Sequence, residues 1–337
     1  MSLNDPPSTS RSAIPLAWVV VIALIAAGGA VALTAVIDAP ASSPPASVGN
    51  VTLTDDLGRT VTVPYDPARV AVLSPSIMDS LYRLGLRGHV VAVDCYAASF
   101  GGLAEDYSPD QVALWNLSSS MCVQVGPTFV PSMLVDLAPD LVLASTIVSI
   151  ADVEEITSQL HVPVVMLQPP TVSGILVDLT LIGEIFGVQA AASALNARLS
   201  AALYDATNAT AAAAMFPTVL LTYSVDENGY WTFGPGTFGE SLLELTGAVG
   251  LGADSGFPYP ELSPQQVLSG DPDWIVYGVG FGLNESTYAA GPDWSSFPAV
   301  QDGNVSGINS NWITEPDPTM VLDGIPALLA LFHPLPP

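Results

Sequence analysis

The sequence predicts an α/β protein of two lobes with central, mainly parallel sheets, joined by one long helix and preceded by an N-terminal transmembrane anchor. Three observations support this prediction. Short β-branched runs alternate with helical patterns in both halves of the chain, which is typical of parallel sheets covered on both faces. A segment without proline separates the two halves. An uncharged run, Leu16–Ile37, precedes both.

The uncharged run has 22 residues, close to the ~20 residues that a helix needs to cross the hydrocarbon layer. Arg11 precedes it and Asp38 follows it, which favours a cytoplasmic tail at 1–15 and an extracytoplasmic main part. A cleaved signal peptide is the alternative, although its apolar region is typically ~7–15 residues long. We therefore expect a single-pass anchor at 16–37, in the cell membrane, and an extended Pro/Ser/Ala-rich linker at 38–50.

The first lobe is predicted at 51–171. It starts with a hairpin, Val51–Thr54 and Thr60–Val63, around the turn residues DDLG. The strand Val70–Leu73 and the helix Ile77–Leu84 follow, and Gly85 ends that helix. Further apolar strands are predicted at Val90–Val93, Leu141–Ala144 and Val162–Leu167, with helices at Ser132–Leu137 and Val153–Leu160.

The linking helix is predicted at 172–214 and the second lobe at 215–337. The strands of the second lobe are predicted at Thr218–Tyr223, Tyr230–Phe233, Trp274–Tyr277 and Val305–Ile308. A rigid helical link predicts that the lobes move only slightly relative to each other.

The composition excludes several classes of function. The net charge is -26, and the six basic residues are all arginine, so a nucleic-acid partner is not expected. Without lysine there is no P-loop and no Schiff-base chemistry. The three histidines fall outside the predicted cleft loops, so we expect no metal site; they are His89, His161 and His333.

No nucleophile–histidine arrangement is recognisable, so we expect neither an enzyme nor a bound cofactor. An enzymatic alternative would depend on acidic groups near the cleft, namely Asp94, Asp226, Glu227 and Glu240. Gly234–Gly239 (GPGTFG) matches the dinucleotide-binding glycine pattern, but Pro235 stiffens the loop and the following helix is short. A turn on the ligand side of the second lobe is the favoured interpretation.

Four segments of the chain carry a family resemblance. They are Thr54–Pro64 (TDDLGRTVTVP), Arg69–Leu86 (RVAVLSPSIMDSLYRLGL), Val125–Ala144 (VGPTFVPSMLVDLAPDLVLA) and Phe257–Asp273 (FPYPELSPQQVLSGDPD). They resemble the solute-binding proteins of the importers for iron-siderophores, haem and vitamin B12. With the tail Gly307–Trp312 (GINSNW), the resemblance extends from about Val51 to Leu331. It implies two lobes with a helical hinge, a ligand between the lobes and an ABC permease as partner.

The segments nearest the expected ligand look most like the branch that binds B12. In that branch, aromatic residues at such positions flank the corrinoid. The resemblance implies that five residues bind the ligand, namely Tyr96, Phe129, Trp231, Tyr259 and Trp312. Aromatic faces suit a large flat ligand because each buries ~150–250 Å².

The positions of the arginines favour a neutral or cationic ligand such as a corrinoid. None falls in a predicted cleft loop, whereas an anionic siderophore or haem propionates would call for fixed arginine forks. Haem remains an alternative through a tyrosinate ligand, for which Tyr96 is the candidate.

Cys95 and Cys122 are the two cysteines, and an oxidising compartment favours a disulfide between them, with two separate thiols as the alternative. Such a bridge would close a loop of 28 residues, for which the chain-entropy model gives ~3–4 kcal/mol. Asn-x-Ser/Thr sequons support an extracytoplasmic location, although each pattern also occurs by chance in surface turns. They begin at Asn50, Asn116, Asn208, Asn284 and Asn304.

One feature departs from the family. Its members carry a glutamate on each lobe that docks on the permease, and the corresponding positions here are Ser132 and Gln265. Asp136 and Glu261, each four residues away, are the candidate substitutes. The alternative function is therefore an anchored surface receptor or interaction domain of the same fold that is not coupled to transport.

Overall fold

The structure is a computed structural model that describes residues 49–94, 121–123, 129–213, 215–280 and 282–333. The predicted tail and anchor, and the linker up to residue 48, lie outside the described residues. Within the described ranges, no helix combines the length and the apolar character that spanning a membrane requires.

A hairpin of β1 (Asn50–Thr54) and β2 (Thr60–Pro64) begins the fold, as predicted. Its turn is organised by Asp55, whose carboxylate accepts hydrogen bonds from the backbone N–H groups of Leu57 and Arg59. The same carboxylate accepts the backbone N–H of Met166 (3.2 Å), and Asp56 accepts that of Gln168 (2.6 Å). These two bonds attach the hairpin to the edge of the first sheet.

The first sheet has five parallel strands in the order β5-β4-β3-β6-β7. They are β3 (Val70–Leu73), β4 (Val90–Asp94), β5 (Cys122–Val123), β6 (Leu141–Ala144) and β7 (Val164–Met166). Every residue of β3, β6 and β7 is buried, because helices α1 (Pro75–Arg83) and α2 (Ile150–Glu155) and their neighbours cover both faces. This confirms the predicted α/β class. The hairpin, the sheet and these helices are called lobe 1.

The prediction of a single helix across residues 172–214 is wrong. Two helices, α3 (Gly174–Ile185) and α4 (Gln189–Ala211), fold back on each other as a hairpin. Asn196 of α4 donates its side-chain amide to the Leu176 carbonyl (2.8 Å) and to the Thr180 hydroxyl (2.9 Å) of α3. Gly187 causes the break: it adopts φ +67°, a left-handed conformation that ends an α-helix.

The second sheet has the strand order β11-β9-β8-β12-β13, with β10 beside β8. Strands β8, β10, β12 and β13 pair in parallel, whereas β9 pairs antiparallel with both β8 and β11. The strands are β8 (Thr218–Val225), β9 (Tyr230–Thr232), β10 (Val249–Gly250), β11 (Glu261–Leu262), β12 (Trp274–Val279) and β13 (Val305–Asn309). The helices are α5 (Phe238–Leu245), α6 (Pro264–Gly270), α7 (Glu285–Ala289), α8 (Pro298–Gln301), α9 (Asn311–Thr314) and α10 (Ile325–Phe332). These elements are called lobe 2.

One apolar core runs through both lobes. It joins buried residues of β3 and α1 to residues of α3 and α4, and continues into β8, α5 and α10. Separate cores cover the outer faces of the first and second sheets. The helical hairpin and the shared core therefore hold the two lobes together.

Candidate ligand-binding site

A cavity of about 200 Å³ lies between the two lobes, at the carboxyl ends of strands. Lobe 1 contributes Ser145, Thr146 and Ile147 after β6, and Gln168 after β7. Lobe 2 contributes four aromatic residues and the segment that follows α9, which are Tyr223, Phe233, Phe238, Tyr259, Thr314, Glu315 and Pro316. Ligands of α/β proteins bind at such strand ends, because the connecting loops converge there.

The lobe 2 wall is a connected set of aromatic rings. The ring centroids of Tyr223 and Phe233 are 4.9 Å apart, and those of Phe233 and Phe238 are 5.4 Å apart. Tyr259 meets Tyr223 and Phe233 edge-on, at 6.4 and 6.3 Å. These contacts, edge-to-face for Tyr259 and tilted between the other rings, pack the four rings against one another.

The glycine pattern at 234–239 builds this wall. Gly234 donates its backbone N–H to the Pro258 carbonyl (2.8 Å), and a Cβ at this position would overlap the Phe257 carbonyl oxygen. A Cβ at Gly239 would overlap the Phe233 ring. Gly234 therefore lets the loop before Tyr259 approach the chain after β9, and Gly239 lets the Phe233 ring pack on α5, which gives the motif a structural reason other than nucleotide binding.

The wall carries little charge. Burial, and then the neighbouring Tyr259, raise the pKa of Tyr223 to about 12, and burial raises the pKa of Tyr259, so both phenols are neutral. Burial, with a contribution from Asp94, raises the pKa of Glu315 to about 8. Among the described residues that line the cavity, none is an arginine, a lysine or a histidine.

The described arginines do not line the cavity, and four of them have partners elsewhere. Arg59 pairs with Asp55, and Arg83 with Asp79. Arg69 donates to the carbonyls of Leu137 and Ala138. Arg87 points toward Val90 and Met121, and Arg198 is exposed on α4.

The structure places the predicted ligand-binding aromatics at different sites. Tyr259 lines the cavity and is 46% exposed. Trp231 lies on β9 outside the cavity lining and donates its indole N–H to Asp226 (2.9 Å). Phe129 is not on the cleft: it is 8% exposed and belongs to the core of lobe 1. Trp312 packs half-buried against the shared core, and Tyr96 lies outside the described residues.

The prediction missed most of the wall. Tyr223 and Phe233 are the last residues of predicted strands, and that position was the available signal, whereas Phe238 is the first residue of α5 and carried no such signal. Nothing in the local sequence TEPDP indicated that Glu315 lines the cavity. Its contact with Ser76 of lobe 1 depends on the tertiary structure, because the two residues are far apart in the chain.

The proposed docking positions lie on the surface with one exception. Ser132, Asp136 and Gln265 are exposed, and the predicted helix at Ser132–Leu137 is a short 3-10 turn, Pro131–Leu134. Glu261 is half-buried in β11. Desolvation, together with the nearby Asp226, raises the pKa of the Glu261 carboxyl group.

The structure describes most of the remaining predicted positions, which are the sequons, the cysteines and the histidines. Asn50, Asn208 and Asn284 are exposed, Asn304 is half-buried, and Asn116 lies outside the described residues. Cys122, on β5, is not a free thiol, whereas Cys95 lies outside the described residues, so their pairing stays a prediction. His89 and His333 contact the backbone carbonyls of Pro67 and Thr246. In the described part of the chain, no cluster of three or more metal-ligating side chains occurs.

Comparison with known proteins decides the family. The family model described as "Periplasmic binding protein" matches residues 70–311, which include both sheets and the cavity lining except Thr314, Glu315 and Pro316. The chain belongs to this family. The resemblance recognised in the sequence is therefore confirmed, and the family consists of substrate-binding proteins rather than enzymes.

Several members of the family are similar over most of the chain. A cobalamin-binding protein of Halobacterium salinarum is 32% identical over 323 residues, which cover 90% of this chain and 81% of the relative. The crystal structure of the periplasmic vitamin B12 binding protein of Vibrio cholerae has a TM-score of 0.65 at 23% identity, covering 80% of this chain and 98% of that one.

A second similar structure belongs to an ABC-type Fe3+-hydroxamate transport system from Saccharomonospora viridis. It has a TM-score of 0.68 at 21% identity, with 84% and 99% of the two chains covered. At these identities the two structures show the shared fold, which therefore accommodates more than one class of ligand.

Proposed function

We propose that this protein is the extracytoplasmic solute-binding component of an ABC importer, and that it binds a corrinoid such as vitamin B12 between its lobes. The observation that carries the proposal is the cavity wall, where aromatic rings converge and the described lining residues provide no cation. Anionic siderophores and haem propionates would be held best by arginine forks. The similarity to a cobalamin-binding protein along 90% of the chain supports the same ligand.

The size of the cavity indicates how a large ligand would be held. Pockets for drug-sized ligands measure ~300–1,000 Å³, so about 200 Å³ accommodates only part of a corrinoid. Ile147 and Phe257 are 48% and 68% exposed; Ile147 is part of the lobe 1 wall, and the Phe257 backbone packs on Gly234 beside the lobe 2 wall. We propose that these residues extend the apolar surface and that the lobes separate slightly about the helical hairpin to admit the ligand.

The test is a titration of the protein with cyanocobalamin, haem and a ferric siderophore, followed by tryptophan fluorescence and by calorimetry. We expect micromolar or tighter binding of cyanocobalamin alone. Tyr259→Ala should weaken it about tenfold, because loss of one stacking ring costs ~1–3 kcal/mol.

The matched control is Tyr204→Ala, which removes an aromatic ring that is 68% exposed on α4, away from the cavity. It should leave the affinity unchanged. Tight binding of haem or the siderophore instead would contradict the argument from charge, although the solute-binding role would stand. Equal losses in both tyrosine variants would contradict the assignment of the site.

The membrane anchor at 16–37, the Cys95–Cys122 bridge and glycosylation remain parts of this proposal. The second candidate function, a receptor not coupled to transport, is favoured by the residues at the docking positions. Ser132 and Gln265 are exposed, uncharged side chains where the family places glutamates. Permease and ATPase genes beside this gene would support transport, and an isolated gene would favour the receptor.

A further inference from the structure

Glu315 is the ionisable residue through which lobe 2 contacts lobe 1 at the wall of the cavity. It follows α9, and its carboxyl Oε2 accepts a hydrogen bond from the backbone N–H of Ser76 (3.2 Å), in the first turn of α1. Glu315 also lines the cavity together with Thr314 and Pro316. One carboxyl group thus contacts the other lobe and the space where a ligand would lie.

Acidic groups outnumber cations among the described residues around this carboxyl group. Arg83 on α1 donates to Asp79 (2.7 Å) and to the Thr319 hydroxyl (2.7 Å). The titratable and charged groups on the elements around Glu315 are Asp94 on β4, Asp79 and Arg83 on α1, Asp317 on its own segment, and Tyr223 and Tyr259 across the cavity.

This environment keeps a proton on Glu315 at neutral pH. Burial is the main cause that raises the pKa of Glu315 to about 8, and the negative charge of Asp94 adds to it, while the Ser76 hydrogen bonds oppose both. A carboxylic acid with one oxygen engaged by an N–H group still has an O–H to donate.

We propose that Glu315 is a specificity-determining residue whose carboxylic acid donates a hydrogen bond from the cavity wall to an uncharged carbonyl group of the ligand. The inference rests on the proposed function, and in a corrinoid the acceptor is a side-chain carboxamide. A ligand carboxylate is disfavoured at the same place, because Asp94 lies close by and the described lining residues carry no cation.

The experiment measures the affinity of the full chain for cyanocobalamin by calorimetry at pH 6.5 and pH 9.5. Glu315 loses its proton between these values, so the unsubstituted protein should bind about tenfold more weakly at pH 9.5. Glu315→Gln keeps a neutral donor that does not titrate, and its affinity should change less than twofold across the range. Glu244→Gln, which removes an exposed carboxylate on α5, should behave like the unsubstituted protein.

Each outcome decides the inference. A flat profile in the unsubstituted protein overturns it even if Glu315→Gln does not fold. A drop that persists in folded Glu315→Gln, or an affinity that rises with pH as a cationic group would cause, also overturns it. Failure of cyanocobalamin to bind at either pH overturns the proposed function itself and is distinguishable from a flat profile.

Discussion

At the scale of single residues, burial keeps a proton on two carboxyl groups at neutral pH, those of Glu315 and Asp178. Asp178 on α3 shares hydrogen-bonding with Asp56 of the β1–β2 turn. Burial first, and then the charge and hydrogen bond of Asp56, raise the pKa of Asp178 to about 8. The shared proton connects the N-terminal hairpin to the helical hairpin.

This pair predicts how stability depends on pH. The folded protein holds a proton on Asp178 that the unfolded chain releases near pH 4, so the free energy of unfolding falls as pH rises from about 4 to about 8. Asp178→Asn keeps a neutral side chain of similar shape and removes this titration. We expect the unsubstituted protein to lose about 3 kcal/mol more than Asp178→Asn between pH 5 and pH 7.5.

Urea unfolding at several pH values measures this difference. Asp205→Asn, which changes an exposed carboxylate on α4, is the control and should follow the unsubstituted protein. Parallel pH profiles for the unsubstituted protein and Asp178→Asn would refute the shared-proton description.

At the scale of elements, the turn between α3 and α4 decides how the lobes are linked. Gly187 has φ +67°, and a Cβ there would overlap the Tyr65 hydroxyl group. Both requirements are conformational and steric, and neither is visible in a helical pattern of the sequence, which is why the segment was predicted to be continuous.

Gly187→Ala should therefore lower the free energy of unfolding by more than the backbone conformation alone explains. The left-handed conformation costs a non-glycine residue about 1–2 kcal/mol, and the overlap with Tyr65 adds to this. Gly58→Ala isolates the conformational part, because Gly58 has φ +72° and no atom near its Cβ position. Urea denaturation of both variants checks the prediction, and equal losses would show that the Tyr65 contact is not important.

The orientation of aromatic residues in loops is likewise not visible in the local sequence. The resemblance to the B12-binding branch placed Tyr259, which lies between two prolines, at the ligand, and Tyr259 lines the cavity. The same reasoning placed Phe129 in the cleft, yet its ring is buried in lobe 1. A loop residue can turn toward the core or the cleft, and the neighbouring strands select between the two.

At the scale of the whole molecule, a polar cluster connects α1 of lobe 1 with the segment after α9 in lobe 2. Arg83 Nε donates to Asp79 (2.7 Å), and the Thr319 hydroxyl group bridges both side chains. Asp79 and Thr319 are buried, so the cluster is sheltered from screening by salt.

Arg83→Met should destabilise the molecule by about 3 kcal/mol, because it leaves the buried Asp79 without its cation. Arg198→Met, at an exposed position of α4, is the control and should have little effect.

The shared core predicts that both lobes unfold together, so circular dichroism and tryptophan fluorescence should give the same transition. Two separate transitions would contradict the shared core.

The sequence by itself determined the α/β class, the order of most strands and helices, and the family, because hydrophobic periodicity and turn residues are local and read along the chain. It also indicated a cleft poor in cations, since six arginines are few enough to place one by one. The tertiary structure alone decided which aromatic rings face the cavity, that Gly187 divides the linking helix, and that Glu315 reaches Ser76 of the other lobe. Those features depend on contacts between residues far apart in the chain, where packing selects one orientation among several that the local sequence allows.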